Sequence, residues 1–243
     1  MAISIRLRDV LPLLAALVLV VLCFALPPIY ADEAEPATAE AETTRVLIID
    51  AGHGGEDGGA VTAGGVPESG INLAIAQKLE ALAGLCGVES VMTRESQEIS
   101  YPESAATTAQ RKQADQRARI ELINAQSDAV LISIHQNFFP TAQPSGCQVL
   151  YGKPEGSREL GELTHRNLTE ALCPTSRRVA APISEDIYLM RSAKCTSILV
   201  ECGFLSNPSE AALLQTEDYQ LKISALLLAS YLQYEAGSDG MVL

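Results

Sequence analysis

Basic residues are scarce in this 243-residue chain: 17 Lys and Arg stand against 30 Asp and Glu, for a formal net charge of −13. Such a field repels polyanions. It argues against nucleic-acid binding and against adhesion to anionic lipid, and any acidic substrate has to be held by local groups. Histidine is rarer still, with only His53, His135 and His165. Cysteines never fall in a C-x-x-C spacing. Beyond Cys23 there are five, at 86, 147, 173, 195 and 202, an odd number in a domain large enough to need no staples. Mostly buried free thiols are expected; an oxidising exterior permits a disulfide, but the sequence assigns none. There is no internal repeat.

The length suits one well-cored domain of about 200 residues better than two. Ahead of it, Arg6 and Arg8 precede an apolar run from Val10 to Leu26, followed by Pro27, Pro28 and a small-residue stop at Ala31. That order reads as an export signal over residues 1–31, either cleaved or retained as an N-terminal anchor, with the basic end inside. Leu22 stands where a lipid-modification site at Cys23 would need a small residue. The expected location is extracytoplasmic, in the cell envelope, with membrane contact only through this segment. Loss of Arg6, Arg8 and Asp9 with it leaves 15 of the 17 basic and 29 of the 30 acidic residues, a net −14.

Residues 32–44, "DEAEPATAEAETT", are acidic with no apolar period and read as a disordered linker. The folded domain is expected over 45–236, with 237–243 as a tail. Within it, apolar runs at 46–50, 88–93, 129–135, 147–152 and 197–204 alternate with helical patterns at 72–85, 115–126, 157–172 and 221–234. Strands alternating with helices predict a single α/β domain, a mainly parallel twisted sheet covered by helices on both faces. The polar stretch 95–114 reads as a surface loop, and the charges of 115–121 as a solvated helix face.

Open α/β sheets place their sites beyond the carboxyl ends of the strands. The polar residues at those ends are Asp50, His53, Arg94, His135 and Glu201. Imidazole is the commonest zinc ligand, and a catalytic zinc takes three protein ligands. Glu56, Asp57 and Glu68 are candidates for a third beside the two histidines. Five glycines between 52 and 59 allow positive φ and close approach to an ion or substrate. A phosphate loop is the poorer reading: the stretch is not G-x-G-x-x-G, no Lys-Ser/Thr follows, and Glu56 and Asp57 would oppose an anion.

The blocks "IDAGHGGEDGGAV", "ESGINLAIAQKL", "VMTRES", "LISIHQN" and "ILVECGFLSNPSE" resemble, in order, the signatures of the zinc-dependent N-acetylmuramoyl-L-alanine amidases of the amidase-3 family. Segments "DQRARIELIN" and "DIYLMR" resemble the spore-cortex, germination-specific branch. The resemblance implies Zn2+ held by His53, Glu68 and His135, with Glu201 as the catalytic general acid/base. It further implies a peptidoglycan substrate cut between muramic acid and L-alanine, muramic lactam formation in the cortex, and an activating lipoprotein partner. The chain departs from the family pattern after "SIH", where "QNFF" follows: with Gln136 and Phe138 there, the family's substrate-cleft details do not carry over, while the metal site is unaffected.

Other readings are blander. His165, between Glu162 and Arg166 on a helix, reads as solvated. Asp50 reads as an orienting partner for a metal histidine or a turn cap, and Arg94 as a substrate group or a structural ion pair. Cys202 should face away from Glu201 along the strand, which disfavours a cysteine nucleophile. Tyr188 and Arg191 are candidate cleft residues. A non-catalytic wall-binding regulator with the same fold would be marked by a lost ligand or base, and all four are present. A third class is a zinc peptidase acting on free peptides.

Overall fold

The computed structural model describes residues 45–239. The expected export segment, the linker and the end of the tail lie outside the described residues. The sheet has six strands: β1 (Val46–Ala51), β2 (Ser90–Met92), β3 (Ala129–Asn137), β4 (Gln148–Tyr151), β5 (Ala181–Pro182) and β6 (Thr196–Phe204). The helices are α1 (Glu68–Leu85), α2 (Thr108–Ala125), α3 (Ser157–Leu172), α4 (Tyr188–Ser192), α5 (Pro208–Leu214) and α6 (Glu217–Asp239).

Strand order is β2-β1-β3-β6-β4-β5. All neighbours run parallel except β4 and β6, which are antiparallel. The central strands are β-branched and apolar because both of their faces are covered. Leu47, Ile49, Val130, Ile132, Ile198 and Val200 enter the larger core, closed by α1, α3 and α6, while Ile48, Leu131 and Leu199 face α2 and α4. The expected doubly covered, mainly parallel sheet is therefore the fold of this chain.

Several boundaries differ from the sequence reading: the last helix, expected over 221–234, runs from Glu217 to Asp239. Helix α2 begins at Thr108, inside the stretch expected to be loop, because Thr107 and Gln110 form a reciprocal capping box that needs no apolar period. Helix α1 begins at Glu68 itself, so this carboxylate sits in the first turn, where the helix dipole favours a negative charge. The short α5, capped by Asn207 with Pro208 at its start, and the two-residue β5 had no periodic signal to betray them. No helix among the described residues is long and apolar enough to cross a membrane.

His165 is buried, and its Nε2 donates to the Arg178 carbonyl at 2.8 Å. The expected solvated histidine is thus a structural one, holding the chain beyond α3 against that helix. Of the cysteines, Cys147 and Cys202 are buried, Cys173 and Cys195 half-buried and Cys86 exposed. Among the described thiols Cys86, which caps the surface end of α1, is the exposed one.

Candidate metal and catalytic site

Strand β1 goes to β2 on one side and the chain then returns across it to β3 on the other, so a crevice opens between the carboxyl ends of β1 and β3. His53 lies just past β1 and His135 near the end of β3, with ring centroids 5.0 Å apart and nearly perpendicular. Glu68 reaches the same point from α1. Its Oε2 is 3.4 Å from His53 Nε2, and its Oε1 is 3.1 Å from His135 Nδ1. One ligand atom from each of the three lies within 4.8 Å of the others.

Each of these groups is fixed by further bonds. Glu68 accepts from the backbone N–H of Ala60 and Gln136 and from Asn72 Nδ2, all at 3.0–3.1 Å. Burial would raise its carboxyl, but His135 and His53 outweigh that and hold it down to about 2. Asn72 lies one turn after Glu68 on α1, also donates to the Gly52 carbonyl, and accepts from Gln136 Nε2. Gln136, the departure after "SIH", is therefore buried as a support of this cluster. His53 Nδ1 is 3.0 Å from Asp57 Oδ2, which Lys112 Nζ also approaches at 2.7 Å. The His53 bond, with Lys112, holds Asp57 well below the usual carboxylate range. Asp57 accepting from Nδ1–H leaves the Nε2 lone pair of His53 turned toward Glu68.

The loop that delivers His53 is strained and pinned. His53 has φ +60°, the one non-glycine residue with positive φ among those described. Two buried arginines hold its carbonyls. Arg119 donates to Ala51 and His53 oxygens at 2.7 and 2.6 Å, and Arg94 donates to Ala51, Gly52 and Ser69 oxygens at 2.8–3.1 Å. Arg119 also pairs with Asp50 at 2.8 Å and Asp115 at 3.0 Å. These contacts correct three expectations. Of the 115–121 charges, Arg117 and Glu121 are solvated as expected, but Arg119 is 4% exposed. Asp50 serves neither a histidine nor a turn but Arg119, Ser133 and Thr93. Arg94 is spent on backbone carbonyls rather than on substrate or an ion pair.

Asp50 links this pinning to acid stability. Burial would raise it, yet Arg119, Ser133 and Thr93 hold it at about 2, against its ordinary 3.8. A depressed carboxyl stabilises the fold in full above about pH 4 and loses that contribution as pH falls to about 2. The shift corresponds to about 2 kcal/mol. We expect urea unfolding at pH 4.5 and pH 2.5 to show a smaller loss for Asp50→Asn than for the unsubstituted chain, by about 1.5 kcal/mol, since part of the contribution survives at pH 2.5. Equal losses would contradict the role given to Asp50.

Glu201 completes the rim. Parallel pairing sets it directly opposite His135, so both side chains stand on one face of the sheet. Its Oε2 is buried without a hydrogen-bond partner. Burial pushes its carboxyl up to about 7, against the pull of His135. Cys202 is buried in the larger core on the opposite face, and burial raises its thiol, as the strand alternation required. A cleft of about 410 Å³ opens over the site between α2 and α4, with Lys112, Gln116, Ile187 and Tyr188 among its walls. Tyr188 is thus a cleft residue. Arg191 stacks on its ring at 5.6 Å and donates to the Glu185 carbonyl.

Residues 47–230 match the amidase-3 family model, described as N-acetylmuramoyl-L-alanine amidase. The chain belongs to this family. Among relatives in it, the germination-specific N-acetylmuramoyl-L-alanine amidase of Bacillus subtilis is 36% identical over 78% of this chain and 79% of its own. The CwlD amidase of Clostridioides difficile, solved in complex with the GerS lipoprotein, superposes with a TM-score of 0.76 at 35% identity, covering 79% of this chain and 99% of that one. The catalytic domain of the amidase CwlV from Paenibacillus polymyxa gives 0.65 at 25% identity over 79% and 98%. The resemblance read from five short blocks thus extends through the family's whole domain.

Proposed function

We propose that the chain is a zinc-dependent N-acetylmuramoyl-L-alanine amidase that cleaves peptidoglycan between muramic acid and the L-alanine of the stem. The observation that carries this is the convergence of His53, Glu68 and His135 beside Glu201, at the rim of an amidase-family sheet. Two imidazoles and one carboxylate form a donor set suited to zinc with a position left open. An Asp57–His53 pair is the kind of support such ligands usually have. Bound there, zinc would supply water of lowered pKa and polarise the scissile carbonyl.

The remaining steps fall to the chain itself. Glu201, half-buried and with its carboxyl pushed up to about 7, accepts the proton of the attacking water and passes it to the departing alanine nitrogen. Its unpartnered Oε2 is free for that transfer. The α2–α4 cleft seats the glycan and stem. Tyr188 offers it an aromatic wall.

The test is digestion of cross-linked wall and of muropeptides by the purified chain, with and without a chelator. Release of peptide stems from muramic acid, lost with chelator and restored by zinc, is expected. Binding without release would favour the non-catalytic regulator, and cleavage of free peptides alone would favour a peptidase.

One glycine offers an independent check of His135. A Cβ at Gly52 would stand 2.3 Å from His135 Nε2 and Cε1, so the ring has to move. We expect Gly52→Ala to weaken zinc binding roughly 10-fold or more, measured by competition with a chromogenic chelator. Unchanged affinity would remove His135 from the ligand set.

We further propose that residues 1–31 export the domain, cleaved or as an anchor, with 32–44 as spacer, and that it works outside the cytoplasm. Similarity to a germination-specific amidase and to one solved with a lipoprotein supports a role in spore-cortex maturation, including muramic lactam formation, with an activating lipoprotein partner. If the isolated domain cleaves cortex wall at full rate, the partner requirement fails.

A further inference from the structure

Cys147 and Cys173 stand with their sulfurs 3.2 Å apart. Cys147 is the buried residue immediately before β4, and Cys173 is the half-buried C-cap of α3. The two elements pack on each other around a shared core that includes Val149, Leu160 and Leu168. Thr169 Oγ1 lies 3.8 Å from the Cys147 sulfur, and the Cys173 backbone is held on both sides, its N–H donating to the Thr169 carbonyl at 3.0 Å and its carbonyl accepting from the Ser176 N–H at 2.9 Å. A disulfide needs sulfurs about 2.05 Å apart. The gap therefore closes by roughly 1 Å, within the reach of side-chain rotation.

We propose that Cys147 and Cys173 form a structural disulfide when the domain meets an oxidant of the disulfide class, small molecule or protein, outside the cytoplasm. The oxidant, though not the pairing geometry, rests on the extracytoplasmic reading above. Cys173 is the attacking group: it is the more exposed of the two, and the thiol of Cys147 beside it favours its thiolate, while the Cys173 sulfur, together with burial, raises the thiol of Cys147. The Cys173 thiolate attacks a sulfur of the oxidant and expels one thiolate, forming a mixed disulfide. Cys147 loses its proton, attacks the Cys173 sulfur and expels the second thiolate. Two S–H bonds are lost and one S–S bond forms; two electrons and two protons pass to the oxidant, which leaves as two thiols. The bond would tie the start of β4 to the end of α3, one residue from Gln148, which pairs with Glu201.

The remaining thiols have other settings. Cys202 is buried in the core and Cys195 half-buried, while Cys86 is exposed at the end of α1. The test treats the reduced full chain with oxidised glutathione, blocks free thiols and maps the peptides. A 147–173 linked peptide, with Cys86 still alkylated, is expected, together with a melting temperature higher than that of the reduced chain by roughly 5–10 °C. Dithiothreitol should reverse both, and Cys173→Ala should show neither. Recovery of Cys147 as a free thiol, its linkage to any other cysteine, or identical melting of the two forms overturns the proposal. None of these readouts involves wall hydrolysis, so the amidase reading stands or falls separately.

Discussion

Glu201→Gln is expected to reduce release of stem peptides from muramic acid by about 10³-fold or more while zinc stoichiometry stays unchanged. The substitution keeps the shape and the place on β6 opposite His135 but removes the group that takes up a proton. Glu201 touches no ligand-fixing bond: Glu68 is held by Ala60, Gln136 and Asn72, and His53 by Asp57. Metal binding therefore has no reason to change. The substitution also removes a carboxylate whose Oε2 is buried without a partner, so the variant should melt no lower than the parent. Metal analysis, a wall-release assay and a melting curve on one preparation settle the point. Hydrolysis within a few-fold of the parent would take Glu201 out of the reaction.

His53→Ala should fail in the opposite way, by losing the metal. Two donors would remain of three, and the loss also leaves Asp57 with Lys112 and the Gly59 N–H only. Affinity should fall by at least the roughly 10–100-fold seen when only a supporting partner of a ligand is removed. Activity should fall with it and recover partly at high zinc. Stability has a second, separable response. Alanine at φ +60° inherits the strained backbone without the imidazole, and the Arg119 bond to that carbonyl persists. The apo forms of variant and parent should thus melt close together, and only the parent should gain on zinc addition, because binding to the native state alone raises its stability. Undiminished zinc in this variant would overturn the metal assignment.

The layered sheet was legible from the sequence because apolar runs set where strands lie, and His53, His135 and Glu201 stood out because strand ends set where polar side chains gather; Glu68, at the start of a helix, was singled out from Glu56 and Asp57 only through the family resemblance. What stayed hidden was support. Asp57 was weighed only as a ligand, yet it sits four residues after His53 across a turn made by Gly54 and Gly55, whose positive φ brings the carboxylate back to the ring. Arg119 lies on a helix whose exposed charges mask the one residue turned inward. Nothing local to 108–125 tells that residue apart from its neighbours, because its burial is decided by carbonyls 68 and 66 residues earlier. A buried arginine becomes readable only when the unpaired carbonyls of a broken strand are counted and a donor is sought for them. His165 escaped for a similar reason, since its partner is a backbone carbonyl contributed by the crossing segment.

The pairing of His135 with Glu201 across β3 and β6 has a consequence for how this chain tolerates changes of length. Side chains alternate faces at every residue, so one residue inserted or deleted between Val130 and His135, or between Thr196 and Glu201, would turn one member of the pair into the opposite core. A change of two residues in a single strand would keep the face but displace the group by about 7 Å along the sheet. The connections at 139–146 and 174–180 carry no such phase. Length variation in this domain should therefore collect in those segments, while β3 and β6 stay fixed in step with each other.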